Sequence, residues 1–299
     1  MNVLLTGASG FIGRSLIPLL VSHGHRVTRL VRTTADPARG EFYWNPSDGK
    51  LDAVALEQVD AVIHLAGENI AAGRWTKTKK RKILESRRIG TRLLAEQLAA
   101  APHRPKVLIT ASAIGCYGDR GDEVLTEQSS RGTDFLANVC RDWEEATLPA
   151  TEKGMRVVHA RFGIILSRNG GALPRLLLPF RLGAGGTLGS GRQYMSWIAL
   201  DDVTGALLHL LTSESVSGPV NIVSPSPLTN REFTKTLAKV LSRPALIPAP
   251  AFALRLLLGE MADALLLSSA RVLPEQLLAS GYRFQHEQLE PALRDILKK

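Results

Sequence analysis

The sequence predicts an α/β fold, a mostly parallel sheet with helices on both faces, followed by a small, mainly helical C-terminal lobe. Three observations carry this expectation. The chain opens on a short apolar run that breaks into glycines spaced three apart, Gly7, Gly10 and Gly13. Strand-like runs then alternate with segments of helical periodicity or long loops as far as Arg161, and such alternation implies parallel strands covered by their own crossover helices. After Ile165 the regularity weakens. Residues 167–194 are rich in Gly and Leu, and the remainder from Thr229 reads as largely helical, broken by Pro244, Pro248 and Pro250.

Val3 to Thr6 is the first strand. Without a Cβ, Gly7 can take the sharp turn, Gly10 lets the backbone approach a pyrophosphate, and Gly13 lets the following helix pack closely on the strand. That helix, Ile12 to Ser22, aims its free N–H groups at the anion. His25 to Val31 forms the next strand and completes a βαβ unit of the expected ~30 residues. Further strands fall at Ala61 to Leu65, Lys106 to Ala111 and Arg156 to Arg161, and Ile198 to Leu211 reads as a helix. The expected arrangement is a Rossmann-type doubly wound sheet. Residues 1–166 and 196–228 make up its dinucleotide-binding domain, and residues 167–195 and 229–299 a smaller substrate-side lobe.

The second strand bears on the choice of dinucleotide. An acid about 20 residues past the glycines takes the ribose 2′-OH of NAD, whereas an Arg there accommodates a 2′-phosphate. Here the strand ends Leu30-Val31-Arg32-Thr33-Thr34, with no acid before Asp36. Arg32 can neutralise the phosphate and lie against the adenine face. NADP is therefore expected over NAD.

Composition narrows the remaining classes. Of 299 residues, 44% are hydrophobic and 22% charged, a globular balance without repeats or low-complexity tracts. The longest apolar stretch, Ala251 to Leu267, is interrupted by Arg255, Glu260 and Asp263, short of the ~20 clean residues of a membrane span. The N-terminal residues lack a basic leader and already form the nucleotide strand. Cys116 and Cys140 show neither paired-thiol nor metal-ligand spacing, so a cytoplasmic setting with free thiols and no metal is expected. The net charge of +9 is local: nine basic residues between Arg74 and Arg92 against Glu85 alone contribute +8. No base-reading motif accompanies them, and a solvated helix face beside an anionic cofactor is favoured over nucleic acid.

These residues together resemble the short-chain dehydrogenase/reductase superfamily in its extended, epimerase-like form. The resemblance rests on TGASGFIG at the start, His64-Leu-Ala-Gly67, Gly90-Thr91, Ser112, Tyr117-Gly118 and Ser196-Trp-Ile-Ala-Leu-Asp201-Asp202-Val203. Leu65-Ala-Gly-Glu-Asn69, Pro179-Phe-Arg-Leu-Gly-Ala-Gly-Gly186, Leu273-Pro-Glu275 and Gly281-Tyr282 are similar to an atypical epimerase-family branch of unknown function. The resemblance implies a bound NADP whose pyrophosphate is held by Gly7, Gly10, Phe11, Ile12 and Gly13, with Arg32 on the adenosine phosphate. It places Leu65, Ala66 and Gly67 along the adenine-ribose path, and counts Arg87 with the cofactor-binding residues, where typical members carry a structural or ribose-side Asn.

One departure is decisive for chemistry. The superfamily uses a Tyr kept acidic by a Lys four residues later, because a phenol near its ordinary pKa of ~10 cannot readily exchange a proton at neutral pH. The residues four beyond Tyr43, Tyr117, Tyr194 and Tyr282 are Ser47, Gly121, Ile198 and His286. Where the pair should fall stand Phe135 or Leu136 and Val139 or Cys140. Ser112 remains as a donor to a substrate carbonyl or as a strand-end cap, and Tyr117 as an acid in a loop at the cofactor mouth or as a packing residue. Cys140 reads as a buried, inert thiol, and Asp201 and Asp202 as N-cap residues. The expected function is an NADP-binding oxidoreductase acting on an unidentified small molecule. A nucleotide-sugar epimerase or dehydratase and a non-catalytic redox sensor are the alternatives, and homo-oligomerisation is left open.

Overall fold

The computed structural model describes residues 1–298. Its central sheet has eight strands: β1 (Asn2–Thr6), β2 (Arg26–Val31), β3 (Glu41–Asn45), β4 (Lys50–Leu51), β5 (Ala61–His64), β6 (Val107–Ala113), β7 (Arg156–Phe162) and β8 (Gly218–Ile222). They lie in the order β8, β7, β6, β5, β1, β2, β3, β4. Every neighbouring pair is parallel except β3 with β4. The chain winds outward from β1 to β4, then returns across β1 to start β5. Strand order therefore reverses between β1 and β5, and the crevice at their C-terminal ends is where such sheets bind ligands.

Alternation along each strand sorts the core into two layers. Val3, Leu5, Ala61, Ile63, Val107 and Ile109 face helices α1 (Phe11–Ser22) and, further along the chain, Leu200–Thr212, through Leu16, Leu20, Val203 and Leu207. Leu4, Val62, Leu108 and Val157 face α2 (Lys77–Ala100) through Leu94, Ala95 and Leu98. Both faces of the sheet are thus covered, as parallel strands require. A third cluster belongs to the lobe, where Leu173, Leu177 and Phe180 of one helix meet Trp197, Phe233, Leu237 and Leu293.

The parallel strand β3 and the edge strand β4 were not expected. Glu-Phe-Tyr-Trp-Asn is short and mostly half-exposed, with only Trp44 buried, so it lacks the apolar run that marks a central strand. The segment expected as a helix from Ile198 begins instead as a strand, Trp197–Ala199, parallel to Ile164–Ser167. Its helix starts at Leu200, with Ala199 as N-cap. Asp201 and Asp202 therefore sit inside the first turn and do not cap it. Asp202 is buried and accepts from the Tyr282 hydroxyl at 3.1 Å, the Gln285 N–H at 2.7 Å and the His286 N–H at 3.0 Å.

Part of the basic segment is paired off. Lys79 bonds Glu68, Lys80 bonds Glu260, Arg81 and Arg92 meet Glu85 and Glu96 one turn on, and Arg87 is half-buried under a loop. Among the described residues, no helix is long and apolar enough to cross a membrane.

Asp202 ties the segment before the C-terminal helix to the helix Leu200–Thr212, and Ser224 adds a bond to the Glu287 carbonyl at 3.0 Å. Asp202→Ala should strand the Gln285 and His286 N–H donors while the Tyr282 phenol keeps the Asp202 carbonyl, lowering stability by about 3 kcal/mol. Urea denaturation followed by fluorescence checks this, and an unchanged midpoint would show that the segment docks without the carboxylate.

Candidate functional site

The glycine turn lies at the switch point. Gly7 has φ +72°, and a Cβ there would approach Leu65 C at 2.8 Å and Ala66 N at 2.9 Å, so only glycine fits between β1 and the loop after β5. At Gly13 a Cβ would collide with the Gly7 carbonyl oxygen, which is how α1 packs so closely on the turn. Gly10 differs: a Cβ would meet only the Gly7 carbonyl group, leaving its other side open. The start of α1 carries no capping side chain and no acid in its first turn. The N–H groups of Phe11, Ile12 and Gly13 precede the first i→i−4 bond of the helix, and together with the helix dipole they form a seat for an anion. The Phe11 ring packs beneath the Gly170–Gly171 hairpin.

Beside this turn runs the loop Leu65-Ala66-Gly67, held by a buried relay. Thr6 Oγ accepts from the Leu65 and Ala66 N–H groups, each at 3.2 Å, and donates to His64 Nδ1 at 2.7 Å. His64 Nε2 in turn donates to Thr91 Oγ at 3.0 Å. This bonding assigns one tautomer, and burial lowers the imidazole pKa to about 4, so the ring is neutral. Arg87 supports the same loop from below. Its guanidinium lies against Gly67, donates to the Glu68 and Ile83 carbonyls at 3.1 Å, and stacks 4.7 Å over Trp143. Arg32 and Thr33 are exposed at the end of β2. The Glu68 carboxyl nearby is held below its ordinary value chiefly by its bond from Lys79, with Lys82 and Arg32 adding attraction.

Ser112 and Tyr117 do not line an open mouth. Ser112, at the end of β6, is 2% exposed and donates to Glu144 Oε1 at 2.7 Å. Tyr117, in the turn after β6, is fully buried. Its hydroxyl donates to Asn221 Oδ1 at 2.8 Å and accepts from Arg161 at 3.0 Å. Arg161, on β7, clamps Glu144 with two bonds of 2.9 Å, and Arg131 adds one of 2.5 Å. Burial opposes ionisation of Glu144, but the bonds and charge of Arg161 outweigh it and bring the pKa down to about 2. Burial pushes the Tyr117 phenol up.

Helix α3 (Phe135–Glu145) occupies the place where the Tyr and Lys of the superfamily would fall. Phe135 packs edge-on against Trp75 and under Lys80 Nζ, 4.3 Å from the ring centre. Leu136 covers Gly115. Cys140 is buried, and burial raises its thiol to about 11, in keeping with an inert residue. Sequence reading missed Glu144, Arg161, Arg131, Asn221 and His64. Two signals were present: an acid on the apolar phase of α3 beside Val139, Cys140 and Trp143, and an arginine inside the apolar strand Val157 to Phe162. The fold also gathers Asp201, His286 and Asp295, whose ligand atoms lie within 4.8 Å of one another, a grouping that sequence spacing could not show.

An anion seat at the switch point of an open parallel sheet defines the class as a Rossmann dinucleotide-binding protein. The profile of the NAD dependent epimerase/dehydratase family matches residues 3–223, and a domain of unknown function, DUF1731, matches residues 249–296. The chain belongs to the NAD dependent epimerase/dehydratase family. An epimerase family protein of Mycobacterium tuberculosis is 44% identical over 292 residues, covering 97% of this chain and 96% of the relative. Epimerase family protein SDR39U1 of Homo sapiens is 38% identical over 300 residues, covering 99% and 100%. The crystal structure of human SDR39U1 (isoform 2) with NADPH superposes with a TM-score of 0.91 at 36% identity, covering 100% of this chain and 99% of that one.

Glu144→Gln leaves Arg161 as a buried charge without its partner, which should cost about 3–5 kcal/mol at neutral pH. The sign with pH follows from the depressed carboxyl. Its contribution is complete above the ordinary value of 4.5 and is lost as pH falls toward about 2. Denaturant midpoints measured from pH 7 to pH 3 should therefore fall less steeply in Glu144→Gln than in the native protein. Parallel curves would count against the pair.

Proposed function

We propose that this chain binds NADPH and is an oxidoreductase acting on a small molecule without a Tyr–Lys proton relay. The observation that carries the reading is the uncapped, acid-free start of α1 behind Gly7, Gly10 and Gly13, with Arg32 exposed at the end of β2. In this reading Gly7, Gly10, Phe11, Ile12 and Gly13 hold the pyrophosphate and Arg32 the 2′-phosphate. Leu65, Ala66 and Gly67 border the adenine-ribose path, and Arg87 stiffens that loop from behind. The presence of NADPH in the human relative's crystal structure supports the same choice of cofactor. When bound, the dinucleotide supplies or accepts a hydride.

The rest of the chemistry falls to the chain's own groups. Ser112 and Tyr117 are positioning residues here, because both hydroxyl protons are committed, one to Glu144 and one to Asn221. They hold β6, β7 and α3 in register, and the proton of a reduced substrate then comes from water. The same sealed hydroxyls favour, as a second reading, a protein that binds NADPH and reports its state without turnover. We assign residues 1–166 and 196–228 to cofactor binding and residues 167–195 and 229–299 to the substrate side. A cytoplasmic setting accords with Cys116 and Cys140, both free and buried.

Fluorescence titration should show NADPH binding at least about tenfold tighter than NADH, equivalent to ~1.4 kcal/mol. Arg32→Ala should erase the difference, and Gly10→Val should fold but bind neither. Equal affinities in the native protein would remove the argument for NADP.

A carbonyl panel with NADPH tests the chemistry. Turnover in Tyr117→Phe should stay close to native, whereas a loss of about 10²-fold or more would restore Tyr117 as the acid. No turnover on any substrate would favour the reporting role.

A further inference from the structure

The lobe encloses a cavity of about 550 Å³, within the size range of small-molecule sites. Leu176, Phe180, Phe233, Leu237, Leu257 and Met261 are among its apolar wall residues. The cavity reaches the loop beyond Gly67 through Ala71 and Gly73, so it adjoins the side of the cleft where the cofactor loop ends.

Two features tell what it takes. The helix Ala251–Leu258, which forms part of the wall, reads Ala-Phe-Ala-Leu-Arg-Leu-Leu-Leu, yet none of its residues is buried. Phe252, Leu256 and Leu257 are 72%, 78% and 69% exposed. A helix this apolar with no buried face lacks the partner that normally stabilises it. The second feature is charge. Arg74, from the loop after β5, and Arg175, from the helix Leu173–Arg181, both line the cavity and are both exposed. Neither forms an ion pair with a described residue. Apart from the two arginines, the wall's polar side chains are Thr234 and Asn230, the latter already bonded to the Leu188 N–H and to Met195 Sδ, so few partners are left for a hydroxyl-rich ligand. A polyol placed there would leave its hydroxyls unpaired.

We propose that the cavity binds a single-chain amphiphilic anion, its apolar chain along Phe180, Phe233 and Leu237 and its carboxylate or phosphate at Arg74 and Arg175. The apolar chain then covers Leu257, which the Ala251–Leu258 helix presents to the cavity beside Leu258. This inference deepens the proposed function and rests on the lobe being the substrate side.

The test uses the full chain and cis-parinaric acid, a fatty acid that fluoresces in apolar surroundings, with NADPH titrated separately in every sample. The probe should bind saturably. Palmitate and dodecyl phosphate should displace it, their relative strength showing which head group is preferred, while hexadecanol and UDP-glucose should be at least tenfold weaker. Arg74→Glu with Arg175→Glu should weaken the probe tenfold or more, and so should Leu257→Asp, an exposed position whose change leaves the fold intact. NADPH affinity should not move in any of these variants. Absence of saturable binding, displacement by UDP-glucose as strong as by palmitate, or unchanged affinity in the arginine variants would each overturn the proposal. Loss of NADPH binding with the probe still bound would overturn the cofactor reading and leave the cavity assignment standing.

Discussion

The Glu144 carboxylate is the interaction on which the centre of the molecule depends. Two arginines and a serine converge on it, and through Arg161 it reaches Tyr117, Asn221 and the C-terminal segment at Leu273. Removing one charge from water would be ruinous by itself, and only the bidentate geometry of Arg161 and the added bonds make the burial tolerable. The consequence is rigidity by mutual need. The network spans β6, α3, β7 and β8, so none of these can shift without exposing an unpaired charge to an apolar core.

Rigidity of this kind decides what the neighbouring hydroxyls can do. A phenol that is to give up a proton needs a nearby cation free to stabilise the phenolate, and solvent or substrate within reach. Tyr117 has the cation, but Arg161 is already spent on Glu144, and burial pushes the phenol toward its neutral form. In the proposed function Ser112 and Tyr117 therefore hold the floor of the cleft in place. By contrast, the Thr6–His64–Thr91 relay carries no charge of its own, so the positive helix start and Arg32, with Lys79 and Lys82 nearby, set the field felt by an anion at that end.

How much of this could be read from the chain follows from distance along it. The glycine turn was legible because all its requirements fall within seven residues: a left-handed Gly7, an open Gly10 and a close-packed Gly13. The alternating sheet was legible because apolar periodicity is local too, and β3 was lost because Glu41 to Asn45 buries only Trp44. Ser112 and Tyr117 were located correctly on the chain, but their surroundings were not. Their partners Glu144 and Asn221 lie 32 and 104 residues away, and no spacing rule connects them. Asp202 shows the same limit. A carboxylate before a helical pattern reads as a cap, yet this one is turned inward to residues more than 80 positions on.

The two ends of the cleft are therefore built on opposite principles. The cofactor end is made of short-range glycine geometry and a buried relay of hydrogen bonds through Thr6, His64 and Thr91. The lobe end is a hollow with an apolar wall, a helix that buries nothing and two arginines without acids. Local stability follows packing, so this end is the softer one, and a ligand that fills it contributes contacts the fold does not make for itself. With the usual donor pair absent and the hydroxyls of Ser112 and Tyr117 bonded inside the protein, the proposed function puts the selection of a substrate at that end, in the shape and charge of the hollow.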